Sequence, residues 1–314
     1  MITTVLGDIE PGALGFCQSH EHLSIRGDAL PPGAPGGAID DPEKSGQELA
    51  LYHNAGGSAV VDAQPPGCGR DALMLASISR SSGVHVIAST GFHRMLYYAG
   101  DHWIHRFGED RIRSIFITEL TGGMYIHCGR NFPEERCGSR AGQIKTALEP
   151  GAWDAQSQKL FNAAAGAAVE TGRALMVHIE KGSDPLSLAD FLFKAGVDLR
   201  RTIFCHPDRS VEDLGIHREL CERGLNLEYD TIARYKYHGD DKETGIILAM
   251  LEAGWEKHLL LSLDLTRARM RCYGGEPGLP YILETFIPLL RSRGVSEEQI
   301  RLFFHENPRR LFNH

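Results

Sequence analysis

The chain has 314 residues and a formal net charge of −8, with 33 Lys and Arg against 41 Asp and Glu. That length fits one large α/β domain or two smaller ones and can bury a core that needs no disulfide framework. The acidic balance, with no long basic run, argues against nucleic-acid binding and against adhesion to an anionic membrane.

The seven cysteines (17, 68, 128, 137, 205, 221 and 272) are odd in number, scattered and free of any C-x-x-C spacing, as expected of a reduced, cytoplasmic protein. The N-terminal stretch lacks a basic region followed by an apolar core, so no signal peptide is expected. No apolar run approaches the roughly 18 residues of a membrane span.

Short apolar runs recur along the chain. "LGFCQSH" (14–20) is the first predicted strand, followed by "GSAVVDA" (57–63), "VHVIAST" (84–90), "GQIKTA" (142–147) and "ALMVHIE" (174–180). "RTIFCH" (201–206), "LNLEYD" (225–230) and "HLLLSLD" (258–264) complete a set of eight. Most are continuous and rich in β-branched residues, as strands buried on both faces should be. Helix-like stretches lie between them. "DAQSQKLFNAAAGAAVETG" (154–172) ends at Gly172, a suitable residue to follow a helix. "SLADFLFKAGV" (187–197) and "ETGIILAMLEAG" (243–254) have the same form. Ser296 with Gln299 makes a capping box, and Asn307 before Pro308 opens a last short helix.

Eight strands alternating with helices predict a parallel (β/α)8 TIM barrel and one domain over 1–314. The turn-rich "LPPGAPGGAIDDP" (30–42) reads as a long loop after the first strand. Gly91 to Ala141 is long for a connection and should carry its own helix near 109–120. Long loops at strand ends usually serve the site.

In such a barrel the strand C-termini converge on the active site. His20 and His22 end the first run; residues i and i+2 of a strand share a face. Lys145 stands in the fourth run. His178, His206 and Asp264 stand at the ends of the fifth, sixth and eighth. Each has a plainer reading as a core hydrogen-bonding group, a cap or a snorkelling cation. Together, four histidines, an aspartate and a lysine at one face form a metal-binding set. His127 and His305 end no predicted core strand, and His85 and His258 begin strands, so these four are left out. Lys145 needs its own chemistry, because an ammonium repels cations. Between two dications the neutral amine is favoured and can add carbon dioxide, giving an N6-carboxylysine that bridges both.

The chain resembles the phosphotriesterase family of the amidohydrolase superfamily. The resemblance rests on "SHEHL" (19–23), "RAGQIKTA" (140–147), "ETGRALMVH" (170–178), "FCHPD" (204–208), "LLLSLD" (259–264) and "GVSEEQIRLFFHENPRRLF" (294–312). It implies a binuclear metal-dependent hydrolase in which His20, His22 and Asp264 hold one divalent ion and His178 and His206 the other. Carboxylated Lys145 would bridge them with a hydroxide. Zinc is the default, and manganese or cobalt fit the same ligands. Asp264 would be catalytic, taking the proton of the attacking hydroxide and helping to deliver it to the leaving group. Asp230 would either relay that proton outward or cap the next segment.

Two basic loops bear on the substrate. "IARYKYH" (232–238) offers Arg234, Lys236 and Tyr237. "LTRARMRCYGG" (265–275) offers Arg267, Arg269, Arg271 and Tyr273, and an extended loop would put all four of the latter on one side. Loops after strands seven and eight often bind phosphate in barrels, although a solvated loop paired to Asp240, Asp241 and Glu243 is the plain alternative. "STGFHRMLYYAGDHWIH" (89–105) and "EYDTIARYKYH" resemble the branch of the family that opens phosphorylated sugar lactones. This implies phosphate contacts from Lys236, Arg271 and Tyr273, with Arg267 an alternative arginine, and an aromatic near the metals from Tyr98 or Tyr97.

The expected substrate is therefore a pentono-1,4-lactone 5-phosphate. A neutral lactone, carboxylic ester or phosphotriester is the alternative on the same metals, and a non-catalytic metal-containing binding protein the alternative of another class. Homodimers are the commonest oligomers, although no stretch of the sequence marks an interface.

Overall fold

The computed structural model describes residues 1–30, 36–151 and 153–314. Eight parallel strands form one sheet: β3 (Cys17–Glu21), β4 (Ala59–Asp62), β5 (His85–Gly91), β6 (Gln143–Leu148), β7 (Ala174–Ile179), β8 (Thr202–Cys205), β9 (Asn226–Tyr229) and β10 (Leu259–Leu261). Each pairs with its chain neighbour. A short antiparallel hairpin, β1 (Ile2–Thr4) and β2 (Gly7–Ile9), precedes them. All eight predicted strands are present, and they make the (β/α)8 barrel. The hairpin is an addition: its three-residue strands are too short for an apolar period to show.

The barrel closes between β10 and β3 without a regular ladder. The amide of His20 donates to Ser262 Oγ at 2.9 Å, and that of Asp264 to the carbonyl of His20 at 3.1 Å. The Glu21 carboxylate accepts from the amides of Leu263 and Leu265 at 2.9 and 2.7 Å. These bonds tie the two strand ends that carry His20, His22 and Asp264.

The strand period sorts side chains between two cores. Cys17, Ala59, Val61, Ile87, Ala174, Met176, Ile203, Cys205 and Leu260 fill the barrel interior, with Ile2, Leu311 and Phe312 at its base. Their neighbours Val60, Val86, Leu175, Val177, Phe204, Leu227 and Leu261 pack beneath the helices. This double burial is why the strands read as continuous apolar runs. The predicted helices form as Ala155–Thr171, Pro185–Lys194 and Asp240–Glu252. Gly172 takes the left-handed conformation after the first of them, with φ 65°, and the Ser296–Gln299 capping box forms.

The long connection after β5 carries the helix Glu109–Thr121. Buried Glu119 fixes it, receiving Arg70 at 2.8 and 2.6 Å and Thr90 Oγ1 at 2.6 Å. The loop expected over 30–42 falls partly on residues 31–35, outside the described residues. Its end is the start of the helix Pro42–Asn54. No described helix is long and apolar enough to cross a membrane.

Candidate metal centre

Three backbone irregularities aim the polar side chains. Cys17 points into the barrel, so strict alternation would turn His20 outward. The pairing of β3 with β4 shifts register between Gln18 and Glu21, and this bulge brings both histidines to the barrel mouth. Bulges re-aim side chains in this way. His206 and Asp264 follow their strands in the left-handed region, at φ 69° and 48°. That conformation is costly for residues with a Cβ and concentrates at functional sites. Gly91 has a different task. At φ 104° a Cβ there would stand 1.9 Å from the carbonyl oxygen of Lys145, so only glycine lets β5 pass this close to the lysine.

The side chains converge on the floor of a cavity of about 950 Å³. His22 Nε2 is 3.3 Å and His20 Nε2 3.9 Å from Asp264 Oδ1. Lys145 Nζ lies 3.2 Å from His20 Nε2. His178 Nδ1 faces His206 Nε2 at 2.8 Å, and the His206 ring is centred 5.0 Å from that of His20. The structure thus brings together all six residues that the sequence singled out.

Carboxylates behind the rings set their orientation. Asp230 Oδ1 lies 2.5 Å from His206 Nδ1, and Oδ2 lies 3.0 Å from His20 Nδ1. Both Nε2 atoms are thereby left facing the centre. Glu180 Oε2 contacts His178 Nε2 at 3.3 Å, which leaves Nδ1 facing inward. Such outer carboxylates fix the tautomer and direction of a ligating histidine. Burial would raise the Asp230 carboxyl, but His206 and His20 hold it below the usual carboxylate range. Burial and the nearby Lys145 push His20 down to about 4. Burial and Arg209 hold His206 well below its ordinary value. With Nδ1 of both rings turned to Asp230, each presents Nε2 to the centre, as a ligating histidine must.

The donor set fits divalent cations. Atoms of His20, His22 and Asp264 lie within 4.8 Å of one another, and all three residues are buried. Lys145 is 0% exposed and forms no carboxylate ion pair among the described residues. Among the described residues its Nζ has one hydrogen-bond partner, the imidazole of His20. A buried ammonium with one neutral partner is costly; an N-carboxylated side chain beside cations removes that cost. Asp264 is the pivot. Oδ1 faces the histidines, while Oδ2 receives Arg234 Nη1 at 2.7 Å and Arg209 Nη2 at 3.2 Å. Against burial, Arg234, His22 and Arg209 hold its carboxyl well below the ordinary range.

Replacing Asp230 with asparagine should loosen His20 and His206 together. Metal affinity is expected to fall about 10–100-fold, the usual cost of losing an outer-shell partner. Titration of the metal-stripped variant against a competing chelator measures it, and an unchanged affinity would remove the orienting role.

The residues expected to face the substrate divide. Lys236, Arg234, Tyr237 and Tyr97 line the cavity. Tyr98 does not; it is buried below, with its hydroxyl accepting the His93 amide at 2.8 Å. Arg267, Arg271 and Tyr273 also miss the cavity, which corrects the expectation from an extended loop. Residues 267–269 and 271–273 form two 3-10 turns, so alternate residues share no side. Arg267 donates to the Ala38 carbonyl at 2.6 Å and stacks on Tyr273. Arg271 pairs with Glu284 at 2.9 Å, and the Tyr273 hydroxyl bonds Asp41 and Ser45. Arg269 ties the two loops, donating to the Ile232 carbonyl at 2.7 Å.

Arg209, Glu180 and His93 were missed from the sequence, though all three line the cavity. Arg209 stands one residue beyond "FCHPD", and His93 inside "STGFHRMLYY". A cation directly after a strand-end motif was the available signal for the first.

A sequence model of the phosphotriesterase family matches residues 1–312. The phospho-furanose lactonase of Mycoplasmopsis synoviae is 30% identical over 98% of this chain and 90% of that protein. An N-acetyltaurine hydrolase of Danio rerio is 26% identical over 98% of this chain and 97% of its own length. The crystal structure of an amidohydrolase from Mycoplasma synoviae superimposes with a TM-score of 0.93 at 29% identity, covering 99% of this chain and 91% of that one.

Proposed function

This chain belongs to the phosphotriesterase family and is an ester-hydrolysing enzyme; from that premise we propose that it opens a phosphorylated sugar lactone at a binuclear metal centre. His20, His22 and Asp264 would hold one ion, His178 and His206 the other, and N-carboxylated Lys145 would bridge them. Bound there, two divalent cations supply an activated hydroxide and a Lewis acid for the carbonyl under attack. Asp264 accepts the proton of the attacking oxygen and returns it to the leaving ring oxygen. Arg234 and Arg209 keep that carboxylate ionised and fixed through Oδ2 until it is needed.

One observation carries the phosphate. Lys236 lines the cavity wall beside Tyr237, 4.7 Å from the ring centre, and pairs with no carboxylate among the described residues. Arg209 stands against the same ring at 4.9 Å. An unpaired ammonium beside a guanidinium, on the wall above the centre, suits a phosphate dianion. The phospho-furanose lactonase relative supports the same substrate class.

The experiment compares phosphorylated and unphosphorylated pentono-1,4-lactones. Faster turnover of the phosphorylated compound is expected, and equal rates would remove the phosphate. Lys236→Ala should raise KM for the phosphorylated substrate by about tenfold or more, the worth of a hydrogen bond to a charged group, and leave KM for the unphosphorylated one unchanged.

A second reading has its own observation. Arg267 and Arg271 turn away from the centre, which favours a neutral lactone or ester. Equal rates on the two lactones would select it.

A further inference from the structure

His93 follows β5 and lines the cavity. It is 8% exposed, and its ring is centred 5.3 Å from that of His178 and 4.7 Å from that of Tyr97. Its Nδ1 receives the backbone amide of Arg94 at 2.8 Å. An amide only donates, so Nδ1 holds a lone pair and the ring proton is on Nε2. That Nε2–H makes no hydrogen bond to protein among the described residues. The side chain is thus a neutral imidazole with one free donor at the cavity wall, next to the ring that would hold the second ion.

The segment carrying it is held at every residue. The Phe92 amide bonds the Lys145 carbonyl at 2.9 Å, the His93 amide the Tyr98 hydroxyl at 2.8 Å, and the Met95 amide Glu149 at 2.8 Å. The Arg94 side chain reaches Glu180 at 2.5 Å, and Glu180 is the residue behind His178. His93 and His178 are therefore positioned by one network. A donor fixed before substrate arrives costs no reorganisation when charge develops, which is what makes oxyanion donors effective.

We propose that His93 is a catalytic residue, donating its Nε2–H to the carbonyl oxygen of the substrate as that oxygen gains negative charge. The proton stays on the imidazole throughout; the residue supplies a hydrogen bond and neither takes nor gives a proton. The inference rests on the reading that a carbonyl ester is hydrolysed here. It does not depend on whether that ester is phosphorylated.

The test uses His93→Phe and His93→Gln, assayed on whichever lactone or ester the wild type turns over fastest, with metal content and melting temperature measured alongside. Loss of one oxyanion donor is expected to lower kcat of His93→Phe about 10²-fold with KM little changed. His93→Gln, whose amide restores an N–H of similar reach, should recover most of that loss. A second readout needs no turnover. The 15N spectrum of histidine-labelled, metal-free protein should show His93 as the Nε2–H tautomer. A kcat for His93→Phe within about threefold of wild type, or a His93 proton on Nδ1, would overturn the proposal. The ratio of rates on phosphorylated and unphosphorylated lactone tests the substrate reading separately.

Discussion

Asp264→Asn is expected to lower kcat about 10²–10⁴-fold, the range over which a positioned general base contributes. The substitution keeps the shape of the side chain and one oxygen for the metal side, but removes the anion. In the native site Oδ2 lies against Arg234 and Arg209 at 2.7 and 3.2 Å. An amide presents the guanidiniums with at most a neutral acceptor, so Arg234 loses its carboxylate partner and Arg209 keeps only the more distant Asp230, at 3.6 Å. A fall in melting temperature should therefore accompany the fall in rate. Steady-state kinetics with metal analysis separates the roles. Lower kcat at retained metal content assigns proton transfer to Asp264. A rate within tenfold of the native enzyme would remove Asp264 from the chemistry.

Lys145→Met should have the largest effect on the centre and the smallest on the fold. Methionine is unbranched and apolar, and fits a site that is 0% exposed. Replacing a buried charge by a packed apolar group is commonly neutral or stabilising. The melting temperature of the metal-free protein should hold or rise. Binding of the metal pair should fail, and hydrolysis with it. Metal ions supply several kcal/mol of transition-state stabilisation, so the loss is at least about 10³-fold at 1.36 kcal/mol per tenfold. Metal analysis and calorimetry on the two proteins check both halves. In the native chain, reactivation of metal-stripped protein should be slow in bicarbonate-depleted buffer. Reactivation at the same rate with and without bicarbonate would argue that Lys145 binds as an amine.

The barrel was legible because its physics is simple. A strand buried on both faces has to be apolar throughout, and eight such runs separated by amphipathic stretches leave few other topologies. The residues that converge at the barrel mouth were legible for the same reason. A lysine or histidine inside an apolar run, as in "GQIKTA" and "ALMVHIE", is too costly to bury without a task.

Direction was harder to read. The bulge in β3 and the left-handed turns at His206 and Asp264 are set by tertiary contacts, and nothing in the local residue pattern announces them. The loop 265–275 shows the failure plainly. Arg267, Arg271 and Tyr273 alternate as a strand face would, yet Arg269 is drawn back to the carbonyls of Ile232 and Leu263. The segment therefore coils into two 3-10 turns that send Arg271 to Glu284. Arg209 shows the converse. Its guanidinium reaches Asp264 only because the αL turn at His206 and the short helix Pro207–Ser210 swing it across the barrel mouth.

Six side chains, from four strand ends and β6, would hold two cations between them. A crystal structure of the metal-loaded protein, with anomalous diffraction at the metal edge, tests it most directly. The account predicts two peaks about 3.5–4 Å apart, with His20, His22 and Asp264 on one and His178 and His206 on the other at about 2.0–2.2 Å. Density beyond Lys145 Nζ should touch both. A single peak, or an uncarboxylated Lys145 turned away from two, would contradict it.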